Sequence, residues 1–163
     1  LIDEAALAKM ERQVADAVDK GARVVTGGRR LTEDGLDRGY FYAPTVLADV
    51  PASARILREE IFGPVAPVTT FASDEEAIAK ANDTEYGLVA YVFARDISRS
   101  FAVLEALETG MIGFNQGMVS NAGAPFGGVK QSGYGREGGP EGLQEYLETK
   151  YVALNLGSEP IRP

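Results

Sequence analysis

The feature that most constrains the fold is a regular succession of strand and helix patterns across residues 65–114. Strand patterns at residues 65–71, 88–94 and 111–114 alternate with two helical segments, and the loops between them are short. This order predicts parallel pairing with right-handed crossovers, and therefore an α/β fold. Residues 88–94 are apolar without alternation, which is typical of a strand covered on both faces, and we expect residues 111–114 to be buried as well.

Both helical segments carry capping signals at their start. Ser73 and Glu76 have the spacing of a capping box, and Asp96 stands where its side chain can cap the second helix. In the second helix, three apolar residues are expected to face inward: Phe101, Leu104 and Leu107. The helix is expected to end at Gly110.

The first third of the chain predicts an amphipathic helix, capped by Asp3 and ended by Gly21. Two strands then follow, at residues 23–26 and 40–50. Pro44 interrupts the second strand, and because proline lacks an N–H donor, it predicts an edge or irregular position. The apolar stripe of the helix recurs at spacings of three and four, at Leu7, Met10, Val14 and Val18.

A glycine-rich stretch of polar character, residues 115–137, leaves the last predicted strand at its carboxyl end. Ligands of open α/β sheets bind at that end, so the placement predicts a functional site. A long loop without helix or strand is otherwise a mobile surface loop, and this alternative stays open. Isolated apolar residues favour an ordered loop: Met118, Val119, Phe126 and Val129.

The composition excludes several kinds of chemistry. The 163 residues contain no Cys and no His, which removes disulfides, thiolate nucleophiles, imidazole bases and the usual zinc ligands. A net charge of -8 argues against nucleic acid as a partner. No apolar run is long enough to span a membrane and no secretory signal is present, so we expect a cytoplasmic protein. Because Leu1 enters a helix without an initiator Met, we expect a fragment.

Two local motifs carry little weight, and a third leaves alternatives open. Residues 133–138 (GYGREG) match the dinucleotide pattern but lack a strand immediately before them and a βαβ unit after them. Residues 82–84 (NDT) match a glycosylation sequon, which we interpret as accidental. Glu59 and Glu60 beside an apolar turn form a solvated charged face, bind ligand hydroxyls, or include a general base whose pKa is raised by burial.

Three segments resemble the C-terminal signatures of the NAD(P)-dependent aldehyde dehydrogenase superfamily. They are residues 59–65 (EEIFGPV), 125–133 (PFGGVKQSG) and 135–137 (GRE). Residues 81–88 (ANDTEYGL) and 117–121 (GMVSN) are most similar to the succinate-semialdehyde dehydrogenases. The resemblance implies a fragment that corresponds to the last third of such an enzyme.

The implied fold is part of a three-layer catalytic domain with a parallel sheet, at residues 1–145. Residues 146–163 would form an oligomerisation strand and tail, so the resemblance implies a homo-oligomer. In the family, a Cys attacks the aldehyde, hydride passes to NAD or NADP, and a Glu activates water. The resemblance places both residues, and the domain that holds the adenosine of the cofactor, outside this chain.

The resemblance therefore assigns binding residues and no catalytic or metal-binding residue. Glu60 matches the glutamate that binds the nicotinamide ribose, and Phe62 matches the aromatic residue beside the nicotinamide. Ser120 matches the serine that binds the substrate carboxylate in the succinate-semialdehyde enzymes, and Phe126 lines the aldehyde channel. We expect the chain alone to be inactive. A stand-alone assembly or interaction module without chemistry is the alternative.

Overall fold

The computed structural model describes residues 1–157. The chain divides into two compact units, the first spanning Leu1–Ala77 and the second beginning at Ile78. In the part of the chain that the structure describes, no helix is long and apolar enough to cross a membrane.

The first unit begins with helix α1, Glu4–Asp19, whose start and end were both predicted. The amide of Ala6 donates to the Asp3 carboxylate over 2.7 Å, which caps the helix. Beyond its end, Gly21 adopts a φ of 108°, in the left-handed region that favours glycine. The predicted stripe is buried except for Val18, which is 41% exposed.

The sheet of the first unit has the order β1-β2-β3 and contains Arg23–Thr26, Thr45–Ala48 and Val65–Pro67. Strand β2 pairs antiparallel with β1 and parallel with β3. Pro44 lies outside any strand, so the irregular one of its two predicted positions is confirmed. Strand β2 is central in the sheet and begins one residue after the proline, at Thr45, whose amide donates to the carbonyl of Pro64 over 2.8 Å.

The hydrophobic core lies between α1, this sheet and the segment that joins β2 to β3, which includes a short 3₁₀ helix, Arg55–Leu57. Along β2, Thr45 and Leu47 are buried while their neighbours are half-buried, as the alternation of a strand requires. The buried apolar residues that pack together in this core are Leu7, Met10, Val14, Ala17, Ala22, Tyr42, Leu47, Val50, Ala54, Ile56 and Val65.

Helix α2, Asp74–Asn82, joins this region to the second unit. Its predicted capping box is present: the Glu76 amide donates to Ser73 Oγ over 3.3 Å, while the Glu76 carboxylate accepts from the Ala72 amide over 2.7 Å.

The second unit contains strands β4, Tyr86–Gly87, and β5, Val89–Val92, followed by helix α3, Ile97–Ala106. Strand β6, Met111–Phe114, pairs parallel with β5, so the predicted parallel pairing across a helical crossover is confirmed here. Asp96 caps α3 as predicted, accepting from the Arg99 amide over 2.8 Å.

The chain continues with β7, Val129–Lys130, and helix α4, Gly139–Gln144. Strand β7 pairs antiparallel with β4. The α/β class is confirmed, but the extended parallel sheet is not found in residues 1–157, which form one three-stranded and two two-stranded sheets of mixed direction. The predicted strand at residues 88–94 is present in a shorter form as β5, Val89–Val92, and β4 precedes it.

Burial in the second unit differs from prediction. Strands β5 and β6 are half-exposed rather than covered on both faces, and Gly113 is their one fully buried residue. Phe101, expected to face inward, is 61% exposed, and Ser100 is the buried residue of α3. The periodicity identified an apolar face correctly, but the described chain covers it only in part, since Leu104 and Leu107 are half-buried and Phe101 is exposed.

The terminal segment forms no strand within the described chain. Residues 147–157 have neither helix nor strand, where we expected an oligomerisation strand and tail at residues 146–163. Residues 158–163 of that segment lie outside the described part of the chain. A strand that forms by pairing with a second subunit stays a prediction.

Candidate functional site

The two predicted cofactor-binding residues lie in the first unit, in a turn formed by residues 59–63, between the 3₁₀ helix and β3. Both Glu60 and Phe62 are exposed, and the Phe62 ring is 83% exposed. Phe62 has a φ of 47°, which is uncommon for a residue with a bulky side chain. Such conformations persist where the surrounding structure holds them, and they cluster at ligand sites.

The two adjacent carboxylates of this turn have different surroundings. Glu59 accepts from Arg55 Nε over 2.7 Å and from Gln13 Nε2 over 3.3 Å. The hydrogen bond from Arg55, followed by that from Gln13, lowers the pKa of Glu59 below its ordinary value. Glu59 is thus an anchor held in the ionised state, and Glu60 is the exposed acceptor at this turn, which suits the binding of ligand hydroxyls.

The predicted substrate-binding residues lie in the second unit, in the loop of residues 115–137. Asn115 fixes the start of this loop. Its side chain accepts from the Ala94 amide over 2.9 Å and donates to the Ala94 carbonyl over 2.8 Å. Asn115 also has a φ of 51°, which asparagine tolerates better than most residues. The ends of β5 and β6 are therefore tied together where the loop begins.

Ser120 is exposed on this loop. Its neighbour Val119 lies against β6, since a Cβ built on Gly113 would be 3.1 Å from Val119 Cγ1 and 2.6 Å from the ring of Tyr91. Because Gly113 lacks a side chain, the loop approaches the sheet closely just before Ser120. The loop around Ser120 is thus ordered at two points, which favours a defined site over a mobile surface loop.

Phe126 is 37% exposed and lines a cleft of about 530 Å³ in the second unit, together with Leu88, Arg136 and Tyr146. Its backbone exchanges two hydrogen bonds with Glu137, of 2.6 and 2.7 Å, which join the two ends of residues 126–137. The ring of Phe126 therefore belongs to a loop that backbone hydrogen bonds hold in place, and the ring remains accessible to solvent.

The segment between Phe126 and Glu137 is a structural scaffold. Arg136 Nη1 donates to the carbonyls of Gly128 and Gly135 over 2.8 and 2.7 Å. The preceding strand β7 is antiparallel to β4, and no strand follows within residues 139–157. Residues 133–138 therefore lack the βαβ surroundings of a dinucleotide fingerprint, as their sequence context indicated.

Sequence reasoning missed three residues that organise these regions. Asn82 donates to the Ala106 carbonyl and accepts from the Glu108 amide, which gives the residue of the accidental sequon a structural role. Lys130 Nζ donates to the carbonyls of Asn82 and Thr84. Gln13 is buried in α1. The position of Gln13 within an apolar stripe was the one sequence signal available for these three residues, because their hydrogen bonds join residues that are distant in sequence.

The sequence model of the aldehyde dehydrogenase family matches residues 1–152, nearly the whole chain. The chain belongs to the aldehyde dehydrogenase family. The superfamily resemblance of its three C-terminal signatures is therefore confirmed.

Curated relatives agree with this assignment. The chain is 55% identical over 156 residues to a succinate-semialdehyde dehydrogenase [NADP(+)] of Escherichia coli (strain K12), covering 96% of this chain and 32% of the relative. It is 51% identical over 156 residues to a glutarate-semialdehyde dehydrogenase of Pseudomonas putida (strain ATCC 47054), covering 96% of this chain and 31% of the relative. The chain thus spans about a third of the length of these relatives.

Solved structures of the family share this fold. A crystal structure of an E. coli NADP dependent enzyme superposes with a TM-score of 0.90 at 54% identity, covering 96% of this chain and 32% of the other. A betaine aldehyde dehydrogenase of Staphylococcus aureus, solved in complex with NAD+, has a TM-score of 0.90 at 40% identity over 99% of this chain and 32% of the other. The relatives therefore include enzymes of both nicotinamide cofactors.

Proposed function

We propose that this chain is the C-terminal segment of an aldehyde dehydrogenase that oxidises succinate semialdehyde, or a similar carboxylated aldehyde, to the acid with NAD(P)+. The observation that carries the proposal is the 55% identity to a succinate-semialdehyde dehydrogenase across 96% of the chain. Glutarate semialdehyde is the nearest alternative substrate, because a glutarate-semialdehyde dehydrogenase is 51% identical to the chain.

The 59–63 turn supplies residues that suit the nicotinamide end of the cofactor. An ionised carboxylate accepts two hydrogen bonds, so the exposed Glu60 suits the two hydroxyls of a ribose. The exposed ring of Phe62 suits contact with the nicotinamide face. When bound, NAD(P)+ supplies the hydride acceptor, and the role of these residues is to bind and orient it.

The 115–137 loop supplies residues that suit the aldehyde. The exposed hydroxyl of Ser120 donates a hydrogen bond suited to a substrate carboxylate, and the half-exposed ring of Phe126 suits an aliphatic chain. The two sets lie in different units of the chain. We assign the first unit to cofactor binding and the second to substrate binding.

The chain on its own lacks the chemistry for turnover. It contains no Cys, and the covalent route of the family requires a thiolate nucleophile. We therefore propose that catalysis depends on a nucleophilic Cys and a general-base Glu supplied by the rest of the enzyme. NAD or NADP preference rests on the adenosine end of the cofactor, which this chain does not bind.

The substrate assignment is tested by Ser120→Ala in the enzyme that contains this chain. A hydrogen bond to a charged group contributes about 1.5–3 kcal/mol, so kcat/KM for succinate semialdehyde should fall by roughly ten- to a hundredfold. A neutral aldehyde of similar length should lose much less. Ser98→Ala, an exposed serine on α3, is the matched control. Equal losses for both aldehydes would remove Ser120 from the carboxylate role.

A stand-alone interaction module is the second candidate, favoured by the exposed apolar side chains of the terminal segment, among them Tyr151 and Leu154. The reading frame upstream of Leu1 separates the two candidates. A continuous frame that encodes a family nucleophile Cys supports the enzyme, whereas a start codon beside Leu1 supports the module.

A further inference from the structure

One face of α1 contacts the 59–63 turn and the segment that leads into it at several points. From the C-terminal end of the helix, Lys20 Nζ donates to the Ser53 carbonyl over 2.8 Å, and Asp16 accepts from the Arg55 amide over 2.8 Å. Further along, Gln13 Nε2 donates to Glu59 over 3.3 Å. The spacing of four and three residues places these side chains on one stripe of the helix.

The next position on the stripe, Met10, contacts the far end of the turn. A Cβ built on Gly63 would lie 2.3 Å from Met10 Sδ, so the absence of a side chain at Gly63 permits this contact. Met10 is itself buried and has little room to move. Glu59 and Gly63 are thereby both held against α1, with Glu60 and Phe62 between them.

Gln13 is the unusual member of the stripe. Its side chain is 1% exposed and lies in the apolar core of the first unit, yet its Oε1 has no hydrogen-bond partner. An unpartnered buried polar atom is destabilising, and an apolar residue of similar size would remove that cost. The amide nitrogen is the atom directed at Glu59, since the opposite orientation would set a carbonyl oxygen against a carboxylate.

We propose that Gln13 is a positioning residue for cofactor binding. It anchors Glu59 from within the core, together with the Arg55 ion pair, and so fixes the direction in which the neighbouring Glu60 carboxylate points. The left-handed conformation of Phe62 is held by the same two-point attachment of the turn. This inference rests on the proposed role of Glu60 toward the nicotinamide ribose.

The test is Gln13→Leu in the complete enzyme, with the dissociation constant of NAD(P)H measured by fluorescence titration and KM measured for NAD(P)+ and for the aldehyde. Leucine fills the core without an unpartnered oxygen, so the thermal midpoint should stay constant or rise. The dissociation constant should rise about tenfold, whereas KM for the aldehyde should change less than about twofold.

Val14→Ala is the matched control, since Val14 is buried next to Gln13 on α1 but its apolar side chain has no donor for a hydrogen bond to Glu59. It should lower the thermal midpoint and leave the dissociation constant of the cofactor unchanged. Gly63→Ala, at the second anchor, should raise that constant as Gln13→Leu does. In an enzyme already carrying Glu59→Leu, Gln13→Leu should add little, because both changes break one contact.

Two results would overturn the proposal. If Gln13→Leu leaves the dissociation constant unchanged while Glu60→Gln raises it, Gln13 is only a core residue and the cofactor role of Glu60 stands. If Glu60→Gln also leaves it unchanged, the proposed role of Glu60 fails, and the inference about Gln13 fails with it.

Discussion

The two units of the chain achieve order by different means. The first unit has a core cluster of eleven buried apolar residues packed between one helix, one sheet and the segment that joins β2 to β3, so its fold is explained by contacts within the chain. In the described part of the second unit, the fully buried residues are four glycines and one serine: Gly87, Ser100, Gly113, Gly128 and Gly142. The second unit is held by close backbone contacts and side-chain hydrogen bonds, and it leaves large apolar side chains exposed.

This difference indicates which part of the described chain has a core of its own and which part does not. The first unit has its own core, and the proposed cofactor-binding residues lie in this unit. The second unit presents apolar faces on β5 and α3 of the kind that protein interiors bury. The relatives are about three times as long as this chain, so in the enzyme proposed above further sequence would be present to cover these faces.

The largest effect is expected from a cavity in the first unit. Leu47→Ala removes a side chain that is fully buried on β2, and it should lower the free energy of unfolding of the isolated chain by about 2–5 kcal/mol in urea titrations followed by circular dichroism. Phe101→Ala, a larger truncation on the exposed face of α3, should cost less than about 0.5 kcal/mol. Similar losses for both variants would contradict the comparison.

In the second unit, the sensitive positions should be glycines. A Cβ on Gly110 would lie 2.0 Å from the Gly127 carbonyl oxygen, which is backbone and has little freedom to move away. Gly110→Ala should therefore cost about 1–3 kcal/mol, measured in the same way. Gly117→Ala is the control, because nothing lies within 4 Å of its built Cβ, and it should change stability by less than about 0.5 kcal/mol. A neutral Gly110→Ala would show that close backbone contacts do not hold this unit.

The exposed apolar faces of the second unit should make the isolated chain self-associate. Phe93 and Phe101 are 68% and 61% exposed, so the double variant Phe93→Lys with Phe101→Lys should shift the light-scattering mass toward the monomer at micromolar concentration. Val18→Lys, at an exposed apolar position of the first unit, serves as the control for added charge. A monomeric parent chain across this concentration range would refute the prediction.

The smallest effect is expected in the pH dependence of the stability of the first unit. Hydrogen bonds from Lys20 and the Arg55 amide lower the pKa of Asp16, and those from Arg55 and Gln13 lower the pKa of Glu59. Both folded pKa values lie below the unfolded ones. The two groups therefore contribute their full stabilisation at pH values above their ordinary pKa values, 3.8 and 4.5. This contribution is lost as the pH falls through the folded pKa values. Glu59→Gln should make the decline in thermal midpoint below pH 4.5 shallower. An unchanged decline would rule out this contribution.

Local signals predicted local structure well. The caps at Asp3, Ser73 and Asp96 were read correctly because each involves residues within one helical turn. The inward placement of Phe101 failed for a different reason: periodicity shows that a face is apolar, but what covers that face depends on other parts of the protein. The antiparallel pairing of β4 with β7 joins segments more than 40 residues apart, which no local pattern encodes.

The family resemblance predicted the residues of the candidate site. It did not predict the contacts that hold those residues in place. Glu60, Phe62, Ser120 and Phe126 are all at least partly exposed, as binding residues require, and their roles remain proposals. The contacts that hold them, such as those of Gln13 and Asn115, join distant residues or depend on an unusual backbone conformation. Such contacts follow from the fold and not from the spacing of residues in the sequence.

The central claim is that this chain provides binding residues for an aldehyde dehydrogenase whose reactive groups lie elsewhere. The most direct measurement compares turnover of succinate semialdehyde with NADP+ by the isolated chain and by a chimera, in which the chain replaces the matching third of the 55% identical E. coli enzyme. The chimera should form NADPH and the isolated chain should form none. Turnover by the isolated chain, or a folded chimera that binds NADP+ without turnover, would contradict the claim.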